Sequence, residues 1–205
     1  MMNTNFWLIR HAIVAENERA TLYGVLDVNL CPDSLVAQVP MYRALAARLP
    51  RDAVWVCTPL SRTRRTAEAI YAAGYPGPEL LVEPGMIEQD LGDYQGLRHA
   101  ELPALLSSPA HPFWPLSGTE RPPNGESVAD MLARVGAAID GLVRSHAGRD
   151  VVVVSHGGAI RAAVAHALQI DADQALHFSV QNLSLTRLDR LQAGWRVVSV
   201  NETCL

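Results

Sequence analysis

Residues 6–12 read FWLIRHA, and residues 151–158 read VVVVSHGG. Each is an apolar run that ends in a histidine. An unbroken run of this kind suits a strand covered on both faces, as in a parallel sheet flanked by helices. Ligands of such sheets bind beyond the carboxyl ends of the strands. A histidine there is more often structural than catalytic when it occurs once. Two in one chain, His11 and His156, ask for a shared explanation.

The remaining segments agree with such a sheet. AVWVC (53–57) and ELLVE (79–83) read as further strands. LSLTRLD (183–189) and WRVVSV (195–200), separated by RLQAG, read as an antiparallel hairpin at a sheet edge. Helical patterns fall at about 35–49, 60–73, 126–146 and 158–169. Strand and helix alternate, so the expected fold is α/β: a doubly wound, mostly parallel sheet with helices on both faces and an antiparallel edge strand. At 205 residues the chain suits one domain, 1–205.

Residues 98–125 break the alternation. They carry Pro103, Pro109, Pro112, Pro115, Pro122 and Pro123, too many missing donors for a packed sheet. The reading is a short helix near 97–107 followed by a Pro-rich lid excursion over one edge of the site.

Composition narrows the partners. Apolar residues make up 49% and charged residues 19%, which suits a compact globule. A net charge of −4, with no long Lys/Arg block, argues against nucleic acid. No run of about 20 apolar residues argues for a membrane span. Cys31, Cys57 and Cys204 are few and widely spaced, without a CxxC pattern. They read as reduced thiols in a cytoplasmic setting, and FWLIR is too short for a signal-peptide core. The sequence leaves a homodimer open.

The segment after AVWVC reads TPLSRTRRTAEAI (58–70). Thr58 suits a helix cap and Pro59 the first helical position. Arg62 then falls near the helix start, where a cation opposes the helix dipole at a cost of about 0.3–1 kcal/mol. A bound anion reverses that sign. Arg64 points elsewhere, onto a solvated face. Gly157 and Gly158 open the last helix and let backbone N–H groups approach a ligand. They do not form GxGxxG, and GxxxxGK[ST], GxSxG and HExxH are missing from the sequence. Arg10, His11, Arg62 and His156 would therefore gather four basic groups with no acidic partner. Such a cluster makes sense around a strongly anionic ligand, and a phosphoryl group is the natural candidate. His99, His111, His146, His166 and His177 are scattered without metal-ligand spacing.

At these residues the chain resembles the histidine phosphatase superfamily, the phosphoglycerate-mutase-like proteins, and among them members of the α-ribazole phosphatase type. The family opening RHGETxxN matches Arg10, His11 and Asn17 in RHAIVAEN. SPLxRAxxTA matches TPLSRTRRTA, with Arg62 at the arginine position. The L-x-E-x-x-x-G-x-x-x-G element matches MIEQDLGDYQG and places Glu88 at the acid. PPxGES appears as PPNGES (122–127), and SHGG as Ser155–Gly158. There are departures. Ala12 stands for glycine, Ile13–Val14 for Glu-Thr, Tyr23 for glutamine and Thr63 for alanine.

The resemblance implies a phosphatase acting on a small phosphomonoester, α-ribazole phosphate among the candidates, with no cofactor and no metal. His11 is then the nucleophile that forms a phosphohistidine. Arg10, Arg62 and His156 stabilise charge, and Glu88 moves the proton. Nearby cations depress the pKa of His11 and keep it neutral. Asn17, Tyr23 and Gly157 become substrate-binding candidates, and Phe113 and Trp114 are placed to meet the leaving group. Two alternatives stand beside this. One is a phosphoglycerate mutase, although EQDLGDYQG carries acids where the mutase element has basic residues. The other is a phosphate-sensing or protein-interaction module without turnover.

Overall fold

The structure is a computed structural model that describes residues 3–203; Cys204 lies outside the described residues. In chain order the elements are β1 (Thr4–Arg10), α1 (Glu16–Arg19), α2 (Pro32–Ala37), α3 (Val39–Arg48), β2 (Val54–Cys57), α4 (Ser61–Ala72), β3 (Leu80–Val82), α5 (Val128–Ser145), β4 (Asp150–Ser155), α6 (Gly157–Leu168), α7 (Ala172–Ala175), β5 (Leu185–Leu191) and β6 (Gly194–Glu202). The strands form one six-stranded sheet in the order β3-β2-β4-β1-β5-β6. The first four in that order are mutually parallel, and β5 and β6 add on antiparallel. This is the α/β sheet expected from the alternation of patterns.

The continuous apolar runs follow from burial on both faces. Phe6, Leu8, Val151 and Val153 pack into one core with Met131, Val135 and Ile139 of α5 and Ile160 and Val164 of α6. Ile9, Val152 and Val154 pack into the other with Leu45 of α3 and Ala67 and Ile70 of α4. Successive side chains point to opposite faces. Both cores therefore draw on the same strand, and all four valines are 0% exposed. Each such side chain contributes about 1.5–3 kcal/mol of burial.

Three local expectations need correction. The helix expected over 35–49 is two helices that meet at Gln38. Pro40, in the first turn of α3, has no N–H to continue the preceding ladder. The helix expected near 97–107 is a single 3₁₀ turn at Leu102–Ala104. Pro103 cannot sit inside a longer helix, and Pro109 stops any extension beyond it within two turns. The terminal hairpin turns at Gln192–Ala193 rather than across RLQAG, because the strands run to Leu191 and resume at Gly194.

Residues 98–125 add no strand to the sheet. They pack Leu102 and Leu116 onto Leu22, Leu91 and Tyr94. Glu120 pins the segment by accepting from the Ser107 N–H (3.0 Å) and the hydroxyls of Ser107 (2.6 Å) and Ser108 (3.0 Å). The PPNGES stretch presses its backbone on the turn at Gly92. That residue has φ +48°, and a Cβ there would stand 2.1 Å from the Pro123 carbonyl oxygen. Gly92→Ala is therefore expected to destabilise the protein by about 1–3 kcal/mol from backbone conformation alone, with the clash added. A urea midpoint equal to wild type contradicts this packing.

Candidate active site

The sheet register sets the site. Arg10 of β1 lies opposite Ser155 of β4, so His11 and His156 leave neighbouring strands at the same level. On the far side of β4, Cys57 of β2 lies opposite Val154 and brings α4 with Arg62 to the same edge. Val82 of β3 lies opposite Cys57, and the chain beyond it carries Glu88. The structure thus brings Arg10, His11, Arg62, Glu88, His156 and Gly157 to one end of the sheet.

His11 is 1% exposed and His156 0%, and their ring centroids are 5.3 Å apart. The Nδ1 of His11 bonds the Ala12 carbonyl at 2.7 Å. A carbonyl only accepts, so Nδ1 carries the proton and the Nε2 of the neutral ring keeps a free lone pair. The loop around the ring is tied from two sides. Asn182 Nδ2 donates to the His11 carbonyl at 2.7 Å, and the Ala12 N–H donates to Thr66 Oγ1 at 2.9 Å.

His156 has the opposite tautomer. Arg62 Nε reaches His156 Nδ1 at 3.3 Å, and a guanidinium can only donate. Nδ1 is therefore the acceptor, and Nε2–H donates to Thr58 Oγ1 at 2.9 Å. The chain of hydroxyls continues to Thr63 Oγ1 (3.0 Å) and on to the Leu60 carbonyl (2.8 Å). This corrects the reading of Thr58 as a helix cap. α4 starts at Ser61, its cap is Leu60, and the Thr58 hydroxyl serves His156 instead. It also explains Thr63, whose hydroxyl an alanine would lack.

Arg62 sits at the second position of α4 and is 0% exposed. Its Nη1 and Nη2 donate to the carbonyls of Leu26 and Gly24, both at 2.7 Å. Tyr23 lies beside it, ring centroid 5.3 Å from Cζ. Arg10 donates through Nη1 to the Val180 carbonyl at 2.6 Å, while its buried Nε has no partner. Glu88 Oε2 accepts from the Gly158 N–H at 3.2 Å, and Oε1 from the Gln89 N–H at 3.0 Å. A Cβ at Gly158 would stand 2.2 Å from Glu88 Oε1, so the second glycine of SHGG makes room for the carboxylate. Arg134 holds the segment before and at Glu88 by donating to the carbonyls of Gly85, Ile87 and Glu88, and it pairs with Glu126 of PPNGES.

Arg10, Tyr23, Glu88 and Gly157 line a cavity of about 180 Å³ with Leu91 and Trp114, among others; His11, Arg62 and His156 are buried and are not among its lining residues. The cavity holds about six water volumes at roughly 30 Å³ each, room for a small ligand. Asn17 is exposed on α1 and is not among the residues that line the cavity. Phe113 is 64% exposed and packs against His111 and His177, whereas Trp114 turns into the cavity. Arg64 and Arg65 are exposed. The sequence reading did not single out Asn182 or Arg161. Asn182 carries no local signal, since it acts on a carbonyl far away in sequence. Arg161 did carry one: it is the lone cation in an otherwise apolar helix start, GGAIRAAVA.

Burial, then the charges of Arg62 and Arg10, holds His11 well below its ordinary 6.5. His156 is held down likewise by burial, then by Arg62 and His11. Both rings are neutral at pH 7, which leaves the guanidinium groups as the fixed cations. Among the described residues, no group of three or more His, Cys, Asp or Glu could hold a metal ion, and no helix is long and apolar enough to cross a membrane.

Comparison with known proteins places this fold and this crevice in a family. The chain belongs to the histidine phosphatase superfamily (branch 1), whose sequence profile matches residues 6–203. It is 29% identical over 129 residues to a 2,3-bisphosphoglycerate-dependent phosphoglycerate mutase of Methylobacterium sp. (strain 4-46), a match covering 62% of each chain, so less than two thirds of that relative's length. A mycobacterial glucosyl-3-phosphoglycerate phosphatase superposes with a TM-score of 0.82 at 28% identity, over 97% of this chain and 99% of that one. A candidate alpha-ribazole-5′-P phosphatase of Escherichia coli superposes with a TM-score of 0.80 over 98% and 97% of the two chains. Its 22% identity makes that a likeness of fold. The relatives thus include both phosphatases and mutases.

The depressed histidines give stability a pH dependence. Unfolded, each ring takes a proton near pH 6.5; folded, it does so only at lower pH. Between those values the unfolded chain binds more protons, so acid favours unfolding. The melting temperature is expected to fall as pH drops below 6.5 and to level off once the folded rings also titrate. A His11→Ala, His156→Ala double variant should show a shallower fall. An equal slope in the variant contradicts the assignment.

Proposed function

We propose that the protein hydrolyses a small phosphomonoester through a phosphohistidine, without a metal. His11 Nε2 attacks phosphorus, and the bond from phosphorus to the leaving oxygen breaks. Glu88 gives that oxygen its proton. Water then attacks the phosphohistidine, Glu88 takes the proton back, and inorganic phosphate leaves. Phosphoryl transfer spreads negative charge over three equatorial oxygens, and catalysis is mostly positioning and electrostatics. Arg10, Arg62 and the start of α6 at Gly157 supply the positive field, with His156 held between the His11 ring and Arg62.

The observation that supports hydrolysis over mutase action is the apolar and aromatic share of the cavity lining. Leu22, Tyr23, Leu91, Trp114 and Pro115 line the cavity, beside Thr21, Gln89 and His99, and no Arg or Lys other than Arg10 does. A phosphoglycerate bears a carboxylate besides its phosphate and calls for a second cationic clamp. These walls suit an uncharged, partly aromatic leaving group instead. The likeness to the Methylobacterium mutase supports the alternative, transfer back to a bound phosphoglycerate.

Assay of free phosphate from an aryl phosphate, beside conversion of 3-phosphoglycerate to 2-phosphoglycerate, separates the two. Phosphate release dominates on this reading; efficient isomerisation with little release overturns it. His11→Ala is expected to abolish release, and unchanged turnover in that variant discards the phosphohistidine. Glu88→Gln should cost about 10²–10⁴ in kcat and least with good leaving groups, which need no proton. Turnover is expected to persist in a chelator, because side chains supply the cations.

A further inference from the structure

Arg161 is the basic group that the mechanism above does not use. It is 9% exposed, so more than nine-tenths buried, on the first two turns of the twelve-residue helix α6. Its Nε donates to the Phe178 carbonyl at 2.7 Å. Its Nη1 is buried with no partner. Among the described residues no carboxylate pairs with it, and both oxygens of Glu88 accept from backbone N–H groups. A buried cation without a counter-ion is costly in the empty protein.

Its surroundings point to what offsets that cost. A Cβ built on Gly157 would lie 3.3 Å from Arg161 Nη1 and 3.4 Å from both Cζ and Nε of Arg10. The two guanidinium groups therefore flank the same glycine at the start of α6, and each has an unpartnered buried nitrogen. The Gly157 N–H, at the first helical position, has no intrahelical carbonyl to bind. On its other face, Arg161 lies under Trp114, with Cζ 4.6 Å from the ring centroid. Trp114 belongs to the Pro-rich excursion and lines the cavity. An indole over a guanidinium holds it by cation–π attraction and keeps water away.

We propose that Arg161 is a further anion-binding residue of this site, donating through Nη1 to an oxygen of the bound phosphate, with Trp114 as its cover. Arg161 does not itself line the cavity, but its Nη1 reaches Gly157 beside Arg10, where the phosphoryl group would sit. The anion it takes is therefore the phosphoryl group and not a charge on the leaving group. Burial pulls its pKa down while the Glu88 charge opposes that, so a dianion arriving beside it strengthens its protonated form.

The inference rests on reading the crevice as a phosphoryl site, and calorimetry with inorganic phosphate on the full chain separates the two. Wild type that binds no phosphate removes the site reading itself. Given wild-type binding, Arg161→Met, which keeps an apolar stem under Trp114, is expected to weaken phosphate at least fivefold. The unliganded melting temperature should stay equal or rise, because an unpaired buried charge is gone. Arg161→Gln, which keeps a donor without charge, should also lose fivefold or more, and it serves if the methionine variant does not fold. A loss under fivefold in a folded variant overturns the proposal, as does an equal loss in Arg64→Met, which removes an exposed cation outside the site.

Discussion

Arg10 lies opposite Ser155 in a parallel ladder, and the geometry of the site descends from that pairing. A slip of one residue would turn every side chain of β1 to the other face. Phe6 and Leu8 would then trade cores with Ile9, and the two imidazoles would no longer leave the sheet side by side. The register is fixed because both faces of β1 and β4 are buried in different cores. Core packing and site assembly are thus one constraint. Few substitutions in the central strands can affect one without the other.

What the register assembles is electrostatically unbalanced. Arg10, Arg62 and Arg161 stand near one carboxylate, Glu88, and two imidazoles. The fold limits the imbalance by keeping both rings neutral through burial. It also ties each arginine to backbone carbonyls, of Val180, Leu26, Gly24 and Phe178. Carbonyl dipoles hold a guanidinium in place without cancelling its charge. A paired carboxylate would do both, and would compete with an incoming anion. The ring tautomers follow from the same partners: carbonyl against His11, guanidinium against His156.

The strands were legible because burial on both faces leaves an unmistakable apolar run, and Arg62 because it sits just after one. Glu88 was not legible from physical pattern alone. It lies on an irregular turn, and only the order of family motifs singled it out. The failures share a cause. Thr58 precedes a proline and a helix, so local chemistry made it a cap, yet a long-range partner, His156, claims its hydroxyl. The helix expected at 97–107 contains Pro103 and shortens to one 3₁₀ turn. Local reasoning worked where local terms dominate, and it missed contacts closed by the tertiary fold.

The departures from the family pattern bear on the same point. Thr63 replaces alanine and extends a hydroxyl chain that ends on a helix-start carbonyl, which fixes the proton of His156 on Nε2. With that proton committed, the Nδ1 lone pair stays turned toward Arg62 and holds its Nε. Tyr23, in place of glutamine, removes an amide from the wall and sets a ring beside Arg62 instead. One change tightens the cationic floor and the other makes the wall above it less polar. On the proposed reading both act in one direction: strong, sequestered contacts to the phosphoryl group, and few polar contacts to what it leaves. A site of the proposed kind would take its discrimination from the shape and apolar surface of the leaving group, against which Trp114 and Pro115 of the excursion line the cavity.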